Sequence, residues 1–204
     1  TLIATNTSGL SINKLAEAVQ GPQRFLGMHW FNPPTLIPLI EIIKNDKTSP
    51  ETAQAIYDLA LAIQKKPAVI EKDVPGFAAN RIQLAVVREV CHMVEQGVVS
   101  AEAADAVMKY GLGFRWACLG PLETMDFGGL DIFAGVSSYL MPDLADGHEV
   151  PTILKEKVDR GDLGVKTGKG FYDYSSGRGE AAKKERDKKL QAVFQALYAA
   201  NKAN

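Results

Sequence analysis

Of the three histidines in the chain, one stands where a titratable ring could meet a substrate. His29 lies near the end of the apolar run Phe25-Leu26-Gly27-Met28-His29-Trp30-Phe31 and is followed at once by Asn32-Pro33-Pro34. That places it at a strand end, where the ligand crevice of an open α/β sheet lies. Its ordinary pKa suits proton transfer near neutral pH. Taken alone, a packed structural histidine is an equal reading. Glu41 tips the balance. It is a lone acid in Pro38-Leu39-Ile40-Glu41-Ile42-Ile43, and the plain reading is a residue facing solvent from a half-exposed strand. If the two strands pair antiparallel about a turn centred on Thr35, however, His29 and Glu41 face each other within side-chain reach. A carboxylate beside an imidazole fixes its tautomer and stabilises the imidazolium, and the acid gains a partner that offsets its burial. His92, inside a long apolar segment, reads as a hydrogen-bonded packing residue, and His148, after Asp146-Gly147, as a solvated one.

Two further polar groups fall at element ends. Asn6-Thr7-Ser8 follows the first strand, with Ser11 placed to cap the next helix, and Asn80 follows Pro75-Gly76-Phe77. Such residues are most often turns and caps; here either Ser8 or Asn80 could also hydrogen-bond a substrate oxygen.

The elements that must position these groups change character at Pro75-Gly76. Before it, residues 2–4, 25–30, 39–43 and 68–70 read as strands. Ser49-Pro50-Glu51 reads as the cap and first turn of a helix running to about Gln64. Alternating strands and helices indicate an α/β layer. After it the strand signals stop. Residues 77–95 form a long helix apolar on most sides, hence expected to be central and buried. A helix capped by Ser100 should end at Gly111, with further helices over 121–139 and 152–160. The tail, 180–202, sets Leu190, Val193, Phe194, Leu197 and Tyr198 in one stripe, and its interleaved lysines and acids read as a solvated face. The expected organisation is α/β over residues 1–74 followed by an all-α domain over 75–204.

The formal net charge is −1, so no global field draws nucleic acid or an anionic membrane. No apolar run reaches the roughly 18–20 residues a membrane span needs. Cys91 and Cys118 show neither CxxC spacing nor a His–Cys cluster, which argues against a disulfide framework or structural zinc and fits a reducing, cytoplasmic setting. The chain opens in a strand-like run without Met, which reads as a trimmed or partial sequence.

Taken in order, Asn6-Thr7-Ser8-Gly9-Leu10, His29-Trp30-Phe31-Asn32-Pro33, Glu41, Pro75-Gly76-Phe77-Ala78-Ala79-Asn80-Arg81, Gly120-Pro121-Leu122-Glu123 and Lys166-Thr167-Gly168-Lys169-Gly170-Phe171-Tyr172 make the chain resemble the 3-hydroxyacyl-CoA dehydrogenase family over nearly its whole length. Each motif is weak; their order and register are specific. The resemblance implies the C-terminal portion of a Rossmann-like NAD-binding domain plus a helical domain that binds substrate and dimerises. It implies His29 as catalytic base, Glu41 as its orienting carboxylate, and Ser8 and Asn80 near the substrate oxygens. Ser8, Asn32 and Lys166 fall where the family meets the nicotinamide end of NAD. The implied reaction is oxidation of an L-3-hydroxyacyl-CoA to the 3-ketoacyl-CoA.

Two departures accompany the resemblance. The Gly-x-Gly-x-x-Gly pyrophosphate fingerprint is missing: Gly111-Leu112-Gly113 follows a helix and continues to Trp116 where a third glycine is required. The first part of the nucleotide fold is therefore expected outside this chain, and the chain alone is expected to be inactive or to serve only as a dimerising module. Asn32-Pro33-Pro34 with Ile37-Pro38-Leu39, and Arg115-Trp116-Ala117, also resemble relatives that oxidise free hydroxy acids such as gulonate or carnitine.

Overall fold

The computed structural model describes residues 1–199, in two compact units: Thr1–Gln83 with the tail from Lys184, and Leu84–Lys183. The first unit is built on four strands, β1 (Ile3–Thr5), β2 (Phe25–Trp30), β3 (Leu39–Lys44) and β4 (Lys66–Ile70), adjacent in that order. β1 runs parallel to β2 and β3 to β4. β2 and β3 form an antiparallel pair whose register opposes His29 to Glu41, as a turn about Thr35 demands.

Two short helices carry the parallel crossovers. α1 (Ile12–Ala16) is capped by Ser11, whose side chain accepts from the Lys14 amide. α2 (Pro50–Ala62) is capped by Ser49, which accepts from Thr52, with Pro50 in the first turn. In each case the cap satisfies an amide that the helix leaves orphaned. Side chains alternate across the strands. Leu26, Met28, Ile40 and Ile42 therefore face Ile56 and Ala60 of α2, whereas Phe25 and Ile43 face Ile12 and Ala16 of α1 together with Phe77. Each fully buried Leu or Ile contributes about 1.5–3 kcal/mol. His29 and Glu41 fall on the α1 face. Gly27, beside them, lets α1 approach, since a Cβ there would meet Ile12 Cδ1 at 3.0 Å and Ile43 Cδ1 at 3.1 Å.

After Pro75-Gly76 the described elements are helical apart from short bridges at Gly164–Lys169 and Lys169–Asp173. They are α3 (Ala79–Glu95), α4 (Ala101–Val107), a π-helical turn (Met108–Leu112), α5 (Gly113–Trp116), α6 (Pro121–Gly128), α7 (Leu130–Leu140), α8 (Thr152–Asp159) and α9 (Arg178–Leu197). Three expectations are corrected. First, α3 is not buried in the single chain: of its residues only Cys91 is, while Ile82 and Leu84 are 60% and 61% exposed. One flank (Val87, Val90, Cys91, Val94) lines a cavity of about 180 Å³ with Ala101, Asp105, Phe171 and Tyr172. All-round apolarity leads to burial only when neighbours surround the helix, and His92 is accordingly exposed rather than packed.

Second, Gly111 does not end its helix. The Gly113 amide bonds to the Met108 carbonyl, a five-residue step that widens one turn and carries the helix on. Gly113 is needed for closeness, because a Cβ there would stand 2.6 Å from the Met108 oxygen. Third, residues 121–139 break into two helices at Gly129, whose φ is +91°. In the tail, Leu190, Phe194 and Tyr198 are half-buried, and Lys183–Glu180 and Lys189–Glu185 pair locally, as a solvated mixed face should. The expected end near Lys202 lies outside the described residues. Among the described residues no helix is long and apolar enough to cross a membrane, and no group of His, Cys, Asp or Glu is arranged to hold a metal.

Candidate active site

His29 and Glu41 reach across the central antiparallel pair and meet. His29 Nδ1 lies 2.9 Å from Glu41 Oε2, and the two residues are 3% and 1% exposed. The other carboxylate oxygen, Oε1, accepts the backbone N–H groups of Ala78 (3.0 Å) and Ala79 (2.9 Å). These amides stand at the N-terminus of α3, where unpaired donors and the helix dipole favour a negative charge. The chain is brought there by two successive left-handed residues, Gly76 at φ +77° and Phe77 at +52°, closed by a Phe77 N–H to Val74 carbonyl bond of 3.0 Å. Glycine takes this conformation freely, but for a bulky residue such as Phe77 it is strained.

These contacts decide the tautomer. An ionised carboxylate only accepts hydrogen bonds, and with Oε1 engaged by two amides, Oε2 takes the Nδ1–H of His29. In the neutral ring Nε2 then carries the lone pair. It lies 3.0 Å from the Ser8 hydroxyl, which donates to it. The imidazole plane is fixed by Phe31, with ring centroids 4.6 Å apart, and by the edge of Phe77 at 5.4 Å. The result is a chain from backbone amides to carboxylate to imidazole to an exposed hydroxyl, open only at the Ser8 end.

Asn80 joins the group from the first turn of α3, its Nδ2 donating to the Ser8 carbonyl at 3.4 Å. The structure therefore brings together Ser8, His29, Glu41 and Asn80. Asn32 is exposed just beyond β2 and lines a cavity of about 360 Å³ with Asn6, Trp30, Phe31 and Pro34. Asn6 also ties β1 to β2, its Oδ1 accepting the Trp30 N–H at 2.9 Å. Lys166 belongs to the second unit. There it lines a cavity of about 520 Å³, in a loop closed by the Gly164 N–H to Lys169 carbonyl bond of 2.7 Å. Sequence reasoning did not find Ala78 and Ala79, because a backbone donor has no side-chain signature. The left-handed turn announced by Pro75-Gly76 was the one available signal.

Residues 1–74 match the family model of the 3-hydroxyacyl-CoA dehydrogenase NAD binding domain, and residues 76–174 that of the 3-hydroxyacyl-CoA dehydrogenase C-terminal domain. Among curated proteins, the chain is 41% identical to a 5-formyl-3-hydroxy-2-methylpyridine 4-carboxylate 5-dehydrogenase of Mesorhizobium japonicum, covering 97% of this chain and 64% of that protein. It is also 41% identical to a probable 3-hydroxybutyryl-CoA dehydrogenase of Bacillus subtilis, covering 85% of this chain and 60% of that one. The chain thus spans somewhat under two thirds of these relatives. Among solved structures, a 5-formyl-3-hydroxy-2-methylpyridine 4-carboxylic acid 5-dehydrogenase, described as an NAD⁺-dependent dismutase, superposes with a TM-score of 0.93 at 41% identity, covering 97% of this chain and 64% of that one. The (S)-3-hydroxybutyryl-CoA dehydrogenase of Ralstonia eutropha does so at 0.65 and 38%, covering 86% and 61%.

Proposed function

The chain belongs to the 3-hydroxyacyl-CoA dehydrogenase family, and from that premise we propose that the whole protein is an NAD-dependent dehydrogenase of a secondary alcohol, with His29 as its general base. The observation that carries this reading is the relay from Ala78 and Ala79 through Glu41 and His29 to Ser8. When bound, NAD supplies the acceptor for the hydride leaving the carbinol carbon. The residues present fit its nicotinamide end: Trp30, Phe31 and Pro34 offer an apolar wall to a flat ring, and Asn6 and Asn32 offer amides to its carboxamide. No Gly-x-Gly-x-x-Gly fingerprint is present to receive the pyrophosphate, and the 204-residue chain by itself is expected to be inactive. Lys166 enters through the family resemblance, and its replacement by Met is expected to weaken NAD binding.

The chain's own residues then act in turn. His29 Nε2 accepts the proton of the substrate hydroxyl as the C–O bond becomes a carbonyl. Glu41, already poised on Nδ1–H, stabilises the imidazolium that forms. The Ser8 hydroxyl and the Asn80 amide hydrogen-bond the reacting oxygen. Base catalysis of this kind contributes roughly 10²–10⁴ in rate, and positioning supplies much of the rest.

The substrate we propose is an L-3-hydroxyacyl-CoA, the class named by the matching family models. A second reading has its own support, the match over 97% of the chain to the pyridine-carboxylate dehydrogenase. On that reading the same base takes a proton from a hydrated aldehyde or alcohol on a small carboxylated ring. We also propose that the helical unit pairs with a second copy. Tyr110, Phe114, Phe127 and Tyr139 are 70–80% exposed, and a second copy would take these large aromatic side chains out of water. The test is NADH formation by full-length protein with 3-hydroxybutyryl-CoA, beside consumption of 5-formyl-3-hydroxy-2-methylpyridine 4-carboxylate with NAD⁺ followed by chromatography, because a dismutation returns the hydride to a second aldehyde and leaves no net NADH. Turnover of the thioester and its loss in His29→Gln are expected. Turnover of the pyridine alone would select the second reading, and full activity in His29→Gln would remove the base.

A further inference from the structure

The loop from Phe31 to Pro38 joins β2 to β3 and carries Asn32. Among its internal bonds are the amides of Leu36 and Ile37, both reaching the Pro33 carbonyl at 3.0 Å. Its anchor comes from elsewhere in the first unit. α2 ends in a left-handed residue, Gln64 at φ +62°, with the Gln64 and Lys65 amides returning to the carbonyls of Leu61 and Ala60 at 2.9 Å each. This reversal sends the chain back under the loop. The Lys66 amide bonds the Pro38 carbonyl at 2.9 Å. The Lys65 ammonium donates to the carbonyls of Pro34 and Ile37, the latter at 2.8 Å, and lies 5.3 Å from the centre of the Trp30 ring. Its partners are thus two carbonyls and an aromatic face, an arrangement that uses a charge to fix backbone rather than to neutralise an acid. Partial burial also lowers the Lys65 pKa, as expected of an ammonium drawn out of water.

We infer that Lys65 is a positioning residue of the active site: by holding the carbonyls of Pro34 and Ile37 and the face of Trp30, it fixes the β2–β3 loop so that Asn32 meets the cofactor. This rests on the reading of the Asn6, Trp30, Asn32 wall as the nicotinamide end. Three of the residues lining that wall, Trp30, Asn32 and Pro34, either touch Lys65 or sit between its contacts. Lys65 touches neither His29 nor Glu41 in the hydrogen-bond network described above, so its loss should spare the base and spoil the wall.

The experiment uses full-length protein with Lys65→Met, Lys65→Arg, Asn32→Ala and the Lys65→Met/Asn32→Ala double variant. Hydrogen exchange at the Leu36 and Ile37 amides is expected to quicken about tenfold or more in Lys65→Met and to be largely restored in Lys65→Arg, with the β2 amides unmoved. The Kd for NAD⁺, read by calorimetry, should rise about tenfold and kcat at saturating NAD⁺ should fall, because the acceptor ring is less well placed, while the KM for the hydroxyl substrate stays within about twofold. Asn32→Ala should raise the Kd similarly, and the double variant no further, because the two act on one contact. Unchanged exchange, an unchanged Kd, or additive effects in the double variant would each overturn the inference. If Lys65→Met does not fold, Lys65→Arg and Asn32→Ala decide: Kd values near wild type and about tenfold raised, respectively, support it, and the reverse pattern overturns it. Failure of the base assignment is read separately, in His29→Gln.

Discussion

Replacing Glu41 by Gln tests the relay where it is most constrained. The carboxylate receives three hydrogen bonds, two on Oε1 from Ala78 and Ala79 and one on Oε2 from His29. Glutamine keeps the shape but offers one accepting oxygen and one donating NH₂. With its oxygen toward the amides, two bonds survive and the NH₂ faces His29 Nδ1. The opposite orientation opposes two buried N–H groups to the NH₂, and each group left unsatisfied costs about 1–3 kcal/mol. The first orientation therefore wins. It compels the imidazole to place its hydrogen on Nε2, so the ring can no longer accept the substrate proton. The same tautomer trap in a Ser-His-Asp triad lowers kcat about 10⁴-fold. Here kcat should fall about 10³–10⁴-fold, while stability changes by no more than about 3 kcal/mol, the worth of one charge-assisted bond. The assay is NADH absorbance at saturating substrate and NAD⁺, with urea unfolding alongside. A kcat within tenfold of wild type, or a loss of activity matched by loss of the folded state, would refute the tautomer trap.

Two other consequences follow from single residues. Phe77 is 2% exposed at φ +52°. Truncation to Ala should cost about 3–5 kcal/mol, but Gly, free of the left-handed penalty of roughly 1–2 kcal/mol, should be the more stable of the two; urea unfolding that ranks Ala above Gly would contradict the strain. Tyr172 donates its hydroxyl to Asp105 at 2.9 Å, and burial, helped by that carboxylate, raises its pKa to about 12 from 10.0. The neutral phenol is the stabilising form, so its contribution is complete below the unfolded value and disappears as pH rises to the folded one. The stability difference between wild type and Tyr172→Phe should shrink between those two pH values; a difference that grows there would reverse the assignment.

The catalytic pair was legible in the sequence because strands obey a period of two. Once Phe25–Trp30 and Leu39–Ile43 are taken as strands joined by a short turn, the opposition of His29 and Glu41 is arithmetic, and the observed register agrees. Caps were legible for a similar reason: Ser11, Ser49 and Ser100 each act on an amide three residues ahead. What escaped depends on backbone or on missing neighbours. The Ala78 and Ala79 amides carry no residue-type signal, and the Lys65 contacts go to carbonyls, which every residue has. The glycines misled at Gly111 because the sequence does not distinguish a terminating glycine from one kept for close approach, as at Gly113. The expected burial of α3 came from its composition, and composition says what should be covered rather than what covers it.

On the proposed mechanism, His29 presents a bare Nε2 to the substrate because Glu41 holds its Nδ1–H. Nitrogen-15 NMR of the imidazole, in protein labelled at histidine and assigned with His29→Gln, reads this directly. Neutral His29 is expected as the Nδ1–H tautomer in wild type and as the Nε2–H tautomer in Glu41→Gln. An Nε2–H tautomer in wild type, or no change on replacing Glu41, would contradict the mechanism.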